Sequence, residues 1–530
     1  MKSIKVLDVT LRDGGCVNDF NFGQVYMEKI LSAQEKSYVD IIELGYIDSE
    51  KGSVCGRTKY INDKVITDSF LKNKKHGISY VAMIDYGRFD VSNLSERAER
   101  GIDGIRLAFH KKNMQDMVDL GRIILGKGYD LYIQPMITLR YNDDELLQLI
   151  DLVNNKLFDA AGFYIVDSFG EMRANDVSRM INLVDHNLIK SMPLGFHSHN
   201  NLQMSYSNAI SLLQFPTNRD LVLDSSIMGM GKGAGNLNTE LLLEHLNLFY
   251  GKNYNVAPLL DVMDNVLNQL HSENYWGYSP EYYLSAINHC SPSYASYYYN
   301  KHMLPIDKVS ELLGLIDDNT KISFDQKYAE NLYLDYNERK CVDDSEQASY
   351  ICDNLSNKEV LLIAPGKSVG EYKDKIREIS SNPNIITITL NLVEEFGQQY
   401  IVVTRKGLYD SICSSDRKLI TLSSVDTKKR ENVSILDYKK WTEIVDGKVY
   451  DSSSVVAFKL IEAAHVKKVY LAGFDGFSMG INDNYFEPEM RVQVLEKQAK
   501  ERNMFYKNRI RDIKENGIDV IFVTPSKYEE

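Results

Sequence analysis

The sequence predicts an α/β protein with two domains: a (β/α)₈ barrel of the TIM type with a helical extension, then a smaller Rossmann-like α/β domain. The chain has 530 residues, more than one hydrophobic core usually supports. Short apolar, β-branched segments recur about every 25–40 residues with helical patterns between them, which is typical of parallel strands joined by right-handed crossovers.

Eight strands are predicted in the first part of the chain. Eight strand–helix units in about 240 residues fit a closed barrel better than an open Rossmann-type sheet, which is the alternative. Amphipathic helices are predicted at Gln24–Lys36, Asp143–Asn155 and Asn201–Leu213. The predicted strands are Ile4–Asp8, Val39–Gly45, Ser79–Ile84, Gly104–Ala108, Leu131–Met136, Gly162–Val166, Leu194–His197 and Leu221–Asp224.

The pattern of apolar and charged residues divides the chain into three predicted segments. Residues 1–316 are predicted to form the barrel and its helical extension, which includes an aromatic-rich stretch near residues 271–302. The charged, weakly patterned residues 317–357 are predicted to be a linker, and residues 358–530 the second domain. Its predicted strands are Glu359–Ile363, Ile385–Leu390, Ile401–Thr404, Leu419–Leu422, Lys468–Ala472 and Asp519–Val523.

Composition excludes several classes of protein. A net charge of −13 argues against general nucleic-acid binding, which needs a basic face. No run approaches 18 apolar residues and the first residues do not resemble a signal peptide, so no membrane span is expected. The six cysteines include no CxxC pair, which is typical of reduced thiols. We therefore expect a cytoplasmic protein.

The first predicted strand runs into the motif LDVTLRDGG, which places Arg12 and Asp13 at its carboxyl end. Active sites of these barrels are built at that end. A carboxylate there can bind a divalent cation, and a guanidinium beside it can stabilise a carboxylate or an enolate oxygen. An ion pair on the surface is the alternative.

The seventh strand ends in GFHSHNN, which contains His197 and His199. Residues two apart on a strand project to the same side, so both imidazoles can reach one ion. Asp13 completes a set of three ligands. One core histidine and one exposed histidine would be the alternative. Oxygen and imidazole ligands without thiolate favour Mn²⁺ or Mg²⁺, with Co²⁺ as a further option.

Residues near other strand ends are candidates for substrate binding. The turn MGMGKGAGN contains Gly233 and Gly235, where the backbone could approach a ligand, and Asn236, which could add an oxygen to the metal. A tight structural turn is the alternative. Glu43 and Asp167 also lie at strand ends, and Asp167 suits a loop-ordering role better than a chemical one.

Five motifs together resemble the metal-dependent aldolase and lyase barrels, a group that includes 4-hydroxy-2-oxovalerate aldolase, HMG-CoA lyase and isopropylmalate synthase. They occur in family order over roughly residues 4–300: LDVTLRDGG, IIELGY, YIVDSFGEM, GFHSHNN and GMGKGAGN. The resemblance implies that Arg12 stabilises an enolate and that Asp13, His197 and His199 bind the metal. Asn236 matches an asparagine ligand of the lyase.

Two departures leave the proton-transfer group open. The hydroxy-oxovalerate aldolases have a histidine where this sequence has Cys16, and the reactive cysteine of the lyase is missing from the loop after the eighth strand. The candidates for proton transfer are His110, at the end of the fourth strand, and His289 and Tyr294, in the aromatic-rich helical stretch.

The second domain loosely resembles bacterial sialyltransferase-like and pterin-pyrophosphokinase-like domains. The matching pieces are LLIAPGKSV, ITLN, DSSSVVAFKLIEAA and VYLAGFDGFS. The resemblance implies a nucleotide or nucleotide sugar at the carboxyl ends of the strands, near Gly366, Ser368, Asn391 and Asp475. APGKS lacks P-loop spacing, and no histidine follows Asp475, so a docking or binding domain is an equal alternative to a transferase.

The resemblance predicts an aldolase that joins the enolate of a 2-oxo acid such as pyruvate to an aldehyde, or cleaves a 4-hydroxy-2-oxo acid. By analogy with its second domain, it would serve sugar-acid or surface-polysaccharide biosynthesis. We also expect a homo-oligomer. Two alternatives stay open: a Claisen-type lyase or synthase that uses an acyl-CoA, and a nucleotide-sugar transferase that uses the barrel as a scaffold.

Overall fold

The computed structural model divides the chain into two compact units. The first comprises residues 1–297 and 313–324, and the second comprises residues 298–312 and 325–530. No helix among the described residues is both long enough and apolar enough to cross a membrane. The described residues are 2–49, 54–301, 304, 306–338, 341–392, 396–412, 417–425, 427, 431–445, 448–478, 484–486 and 496–529.

The first unit is a closed parallel barrel. Strand β1 pairs with β8 on one side and with β2 on the other, so the sheet has no open end and the open-sheet alternative is excluded. A two-residue strand, Lys59–Tyr60, adds to β2. The barrel strands are β1 Ile4–Asp8, β2 Ile41–Ile47, β3 Ser79–Asp85, β4 Gly104–Phe109, β5 Asp130–Pro135, β6 Gly162–Asp167, β7 Leu194–Ser198 and β8 Leu221–Ser225.

Helices surround the barrel because the strands are apolar on both faces. An outer core joins strands to helices, and a smaller apolar cluster that includes Leu7, Val81 and Tyr164 fills part of the barrel interior. The helices of this part of the chain are Gln24–Lys36, Asp63–Phe70, Asp116–Gly126, Asp143–Lys156, Ala174–Asn187, Ser205–Gln214, Thr239–Tyr250, Ala257–Val262, Asn268–Glu273, Pro280–Ile287 and Pro292–Ser296.

The second unit contains a seven-stranded parallel sheet with the spatial order β13-β12-β11-β10-β9-β16-β17. The order reverses between β9 and β16, which creates the crevice where doubly wound sheets bind ligands. A hairpin of β14 and β15 lies outside this sheet. The strands are β9 Glu359–Ile363, β10 Ile385–Leu390, β11 Tyr400–Val402, β12 Lys418–Leu422, β13 Val433–Leu436, β14 Glu443–Val445, β15 Lys448–Tyr450, β16 Lys468–Ala472 and β17 Asp519–Phe522.

The segment predicted as a linker, residues 317–357, is instead largely folded. Its helix Ser345–Leu355 places Ile351 and Leu355 in the core of the second unit. The hydroxyl of Tyr333 donates to Asp451 at 2.6 Å. The remaining helices described from residue 306 onward are Ile306–Leu315, Gln326–Glu338, Ser368–Glu371, Lys373–Ser380, Lys406–Ile412, Tyr438–Trp441, Ser453–Ala463 and Glu496–Glu515.

Candidate metal centre

Three buried side chains meet at the carboxyl end of the barrel. Asp13 follows β1, His197 lies on β7 and His199 comes just after it. One ligand atom from each lies within 4.8 Å of the others. The strand alternation explains the pair, because His197 and His199 project to the same side while Ser198 projects to the other. The structure thus brings together the three residues that the sequence suggested as ligands.

Each imidazole is oriented by a hydrogen bond from its Nδ1. In His197 this nitrogen donates to the Asp224 carboxylate at 2.9 Å, and in His199 it donates to the carbonyl oxygen of Lys232 at 3.1 Å. Both acceptors require a protonated Nδ1, so Nε2 of each ring keeps its lone pair. Burial lowers the pKa of His199 to about 4, which keeps this ring neutral and able to bind a cation.

Asn236 supplies an independent sign that a cation fits here. Its Nδ2 donates to Asp13 at 2.7 Å and to the carbonyl oxygen of Met230 at 3.1 Å. Its Oδ1 is buried and accepts no hydrogen bond from a described residue. An unsatisfied buried acceptor is costly, so this amide oxygen, on a side chain that contacts Asp13, is a further donor that suits a divalent metal.

Arg12 is held between two carboxylates. Its Nε donates to Glu43 and its Nη1 donates to Asp13, each at 2.7 Å. Nη2 makes no hydrogen bond with a described residue, so one donor edge is available to a ligand. Burial alone would raise the pKa of Asp13, but the adjacent His199 and Arg12 hold it well below its usual range. Asp13 is therefore an anion at neutral pH.

The interior of the barrel contains a second ion network that the sequence did not suggest. Arg106, on β4, is fully buried and donates to Glu43 at 2.7 Å and also to Asp224. Asp224 in turn accepts from His197, so this network positions both Arg12 and one of the candidate metal ligands. A charged residue inside an apolar strand, as in GIRLAF and LVLDS, is the sequence signal that could have identified Arg106 and Asp224.

Glu43 and Asp167, which were predicted to bind substrate, are both held by hydrogen bonds within the protein. Both oxygens of Glu43 are buried, and Oε2 accepts from Arg12 and Arg106. The Asp167 carboxylate accepts from the backbone N–H groups of Glu171 and Met172, which orders the loop after β6. Glu43 therefore acts through Arg12, and Asp167 fits the loop-ordering role.

The glycine-rich turn approaches the metal cluster at a different glycine from those predicted. A Cβ at Gly235 would meet the carbonyl oxygen of Gly229 at 1.9 Å, and one at Gly233 would meet the Asn201 side chain at 2.7 Å. Both have positive φ and are needed by the turn itself. A Cβ at Gly231 would lie 2.5 Å from Asp13 Oδ2 and 2.2 Å from Asn236 Nδ2. Gly231 is thus the position that borders the ligands.

The three predicted proton-transfer residues differ in placement. His110 follows β4, where burial and the charges of Lys112 and Lys232 lower its pKa. His289 is largely exposed, and its Nδ1 contacts Glu171 at 2.7 Å in the loop after β6. Tyr294 does not reach the ligand cluster: it is fully buried and its hydroxyl donates to the carbonyl oxygens of Thr320 and Ser323.

Asp85 is a further candidate for proton transfer. It ends β3, and its carboxylate makes no hydrogen bond or ion pair with a described residue. Burial raises its pKa to about 6 in spite of the nearby Arg12 and Arg88. Its charge also acts on Cys16 and Tyr46.

Cys16 lies in the turn after Asp13. Although its side chain is partly exposed, desolvation by the surrounding protein, together with the charge of Asp13, raises the pKa of its thiol to about 12. The thiol is thus protonated at neutral pH, and Cys16 is not a base.

In the second unit, the predicted nucleotide-binding residues lie at the carboxyl ends of the parallel strands. Gly366 and Ser368 follow β9, and Asp475 follows β16, so these three border the point where the strand order reverses. Ser368 donates to Asp475 through both its backbone N–H and its hydroxyl. Asn391 follows β10 with φ of 56°, and its Oδ1 is buried without a partner among the described residues.

Comparison with known proteins identifies the barrel. The HMGL-like family model matches residues 3–266. The chain is 26% identical over 253 residues to a 4-hydroxy-2-oxovalerate aldolase of Geobacillus genomosp. 3, a match that covers 46% of this chain and 71% of the relative. A 4-hydroxy-2-oxovalerate aldolase of Comamonas testosteroni is 27% identical, with 46% and 68% covered.

Two solved structures also match the barrel. The N-terminal domain of a candidate aldolase from Bacteroides vulgatus is 25% identical with a TM-score of 0.47, and covers 55% of this chain and 95% of that chain. The Bacillus subtilis HMG-CoA lyase is 15% identical with a TM-score of 0.41, covering 51% and 93%. The family model decides the assignment. The barrel of this chain belongs to the HMGL-like family of aldolases and lyases, which use a divalent metal, and Asp13, His197 and His199 form its candidate metal site.

Proposed function

We propose that the barrel acts on a 2-oxo acid as a carbon–carbon lyase or aldolase. In one direction the C3 carbon of a pyruvate-type enolate forms a bond to the carbonyl carbon of an aldehyde. In the other direction, the C4 hydroxyl of a 4-hydroxy-2-oxo acid loses its proton to a base, the C3–C4 bond breaks to give the aldehyde and the enolate, and the enolate gains a proton at C3. The observation that carries the proposal is the contact of Arg12 with Asp13 inside a cluster of metal-ligating side chains.

The residues of the cluster suit this chemistry. When bound by Asp13, His197 and His199, a divalent cation supplies a Lewis acid for the keto group of the 2-oxo acid. Arg12 is fixed by Glu43 and Asp13, and its remaining Nη2 donor stabilises the negative oxygen of the enolate. This preorganisation needs no rearrangement of the guanidinium when charge develops. Arg106 and Asp224 keep Arg12 and His197 in position.

Proton transfer at C3 is assigned to Asp85, with His110 as the alternative. Asp85 is near Arg12 and has no competing partner among the described residues, and desolvation by the surrounding protein raises its pKa to about 6. A carboxylate with a pKa near the working pH is an effective general base. His110 would also be neutral at pH 7, since its pKa is lowered.

Exchange of the pyruvate methyl protons with D₂O tests the proposal without knowledge of the aldehyde. The full chain, freed of metal with EDTA and reloaded with Mn²⁺ or Mg²⁺, should catalyse exchange only when loaded, as followed by ¹H NMR or mass spectrometry. His199→Ala should lose metal binding, measured by calorimetry. His186→Ala, an exposed histidine on the helix Ala174–Asn187, is the matched control.

Different outcomes separate the alternatives. Equal exchange in the EDTA-treated and reloaded protein would contradict the metal-dependent mechanism. Product formation from a 2-oxo acid only in the presence of an acyl-CoA would favour the Claisen-type reaction. Nucleotide-sugar transfer with no metal-dependent exchange at the barrel would favour the scaffold alternative.

A further inference from the structure

Arg502 in the second unit is a half-buried cation that has no carboxylate partner among the described residues. It lies on the helix Glu496–Glu515, and its guanidinium carbon is 5.2 Å from the ring centre of Phe477. Its Nη1 is buried, and no described residue accepts a hydrogen bond from it. Burial lowers the pKa of Arg502. Burying a charge is costly unless it is paired, so this arrangement favours a bound counter-ion.

A second arginine, Arg405, lies near enough for its charge to act on Arg502. Arg405 follows β11 at the carboxyl edge of the parallel sheet, and its charge contributes to the lowered pKa of Arg502. The Arg405 side chain makes no ion pair with a residue that the structure describes. Like charges held close together are unfavourable. Two arginines without a carboxylate among their described neighbours favour the binding of an anion.

Aromatic and hydroxyl groups form the rest of the surroundings. Phe477 stacks on Tyr506 and meets Tyr485 edge to face. The hydroxyl of Tyr506 is 2.7 Å from the hydroxyl of Ser452, which caps the helix Ser453–Ala463. The positive end of that helix dipole thus lies beside the aromatic cluster, which adds to the attraction for an anion. Phe477 and the two tyrosines offer faces on which a planar ring could stack.

We propose that Arg405 and Arg502 bind the phosphate groups of a small molecule, with Phe477, Tyr485 and Tyr506 as an aromatic wall beside them. Planar guanidinium groups match phosphate oxygens in geometry and remain charged at all physiological pH values. The ligand class is a phosphorylated metabolite, and a nucleotide would use the aromatic wall as well. This site does not depend on the lyase function of the barrel.

Calorimetry on the full chain at constant ionic strength tests the site, with inorganic pyrophosphate and adenosine diphosphate as probes. Wild-type protein should bind pyrophosphate, and Arg502→Gln and Arg405→Gln should each weaken binding by about tenfold or more. Arg511→Gln is the matched control, because Arg511 lies on the same helix and is 63% exposed. It removes the same charge and should change binding by less than about twofold.

Thermal stability without phosphate distinguishes a binding role from a structural one. Because Arg502→Gln removes an unpaired, half-buried charge, its Tm should equal or exceed that of wild type, whereas pyrophosphate should stabilise only the wild type. A lower Tm in Arg502→Gln together with unchanged pyrophosphate binding would overturn the proposal. If that variant does not fold, unchanged binding in Arg405→Gln would overturn it equally.

The two probes identify the source of the phosphate. Tighter binding of adenosine diphosphate than of pyrophosphate supports a nucleotide stacked on the aromatic wall, and Phe477→Leu should then remove the difference. Equal or weaker binding of the nucleotide supports a smaller phosphorylated compound held by the arginines alone. Absence of binding by wild type to both probes would contradict the site.

Discussion

At the residue scale, Arg12 is fixed by two carboxylates, those of Glu43 and Asp13. A lysine at this position keeps the charge but cannot donate to Glu43, Asp13 and a substrate oxygen in the same planar arrangement. Arg12→Lys should slow pyruvate proton exchange by roughly 10²–10³-fold, the usual effect of losing one oxyanion donor. Metal affinity, measured by calorimetry, should change little. Exchange at the wild-type rate would remove Arg12 from the mechanism.

Asp85 as the general base predicts that the rate of pyruvate proton exchange falls at acidic pH. Burial raises its pKa to about 6, and only the deprotonated carboxylate can accept a proton. The exchange rate should therefore be constant above pH 7 and fall as the pH drops through about 6. Asp85→Asn should lower the rate by about 10²–10⁴-fold and abolish this acidic limb. If the acidic limb of the pH–rate profile persists in Asp85→Asn but disappears in His110→Gln, the general base is His110.

The sequence could suggest ligands but not the side chains that orient them. Asp13, His197 and His199 stand in short motifs at predicted strand ends, so their approach follows from the barrel topology. Arg106 and Asp224 contact each other across 118 positions of sequence, and no local pattern encodes that pairing. For Tyr294, the sequence suggested a catalytic role because the residue lies in the aromatic-rich helical stretch. In the structure its side chain is fully buried, so its position is determined by packing in the core.

At the element scale, the glycine-rich turn after β8 contains two kinds of glycine. Gly231→Ala places a methyl group against Asp13 and Asn236 and should reduce metal affinity with little loss of stability. Gly235→Ala combines positive φ with a backbone clash at 1.9 Å, so it should destabilise the fold by at least roughly 1–3 kcal/mol. Metal titration and urea unfolding of both variants would separate the effects. Equal metal affinity in Gly231→Ala and wild type would contradict this assignment.

The strands of the barrel could be predicted because parallel strands are buried on both faces and appear as apolar runs. Ile4–Asp8 agrees with the structure at both ends, and the other seven differ by a few residues. Strand β13 was missed, since only one of its four residues, Leu436, is buried. The helix predicted from Asn201 begins at Ser205 instead, because Asn201 holds the loops through Phe169 and Ala234.

At the scale of the whole molecule, residues 325–357 belong to the second unit because their apolar side chains are buried in its core. Ala348, Ile351 and Leu355 pack on the sheet, while Asp344 accepts a hydrogen bond from the indole of Trp441 at 2.5 Å. Charged and polar residues cover the outer faces of these helices, which explains why the segment resembled a linker in sequence. Its buried contacts make it a structural part of the unit.

This assignment predicts different stabilities for two fragments. Residues 325–530 should unfold cooperatively in urea, whereas residues 358–530 should lose at least about 4 kcal/mol, since burial of Ile351 and Leu355 contributes about 2 kcal/mol each. That loss is a large part of the stability of a typical domain. Each fragment contains one tryptophan, Trp441, whose fluorescence reports the transition. Loss of its Asp344 partner should shift the emission to longer wavelength in the shorter fragment.

Restoring residues 325–357 as a separate peptide should recover part of the stability, because the contacts are non-covalent. Identical urea midpoints for the two fragments would mean that residues 325–357 act only as a linker.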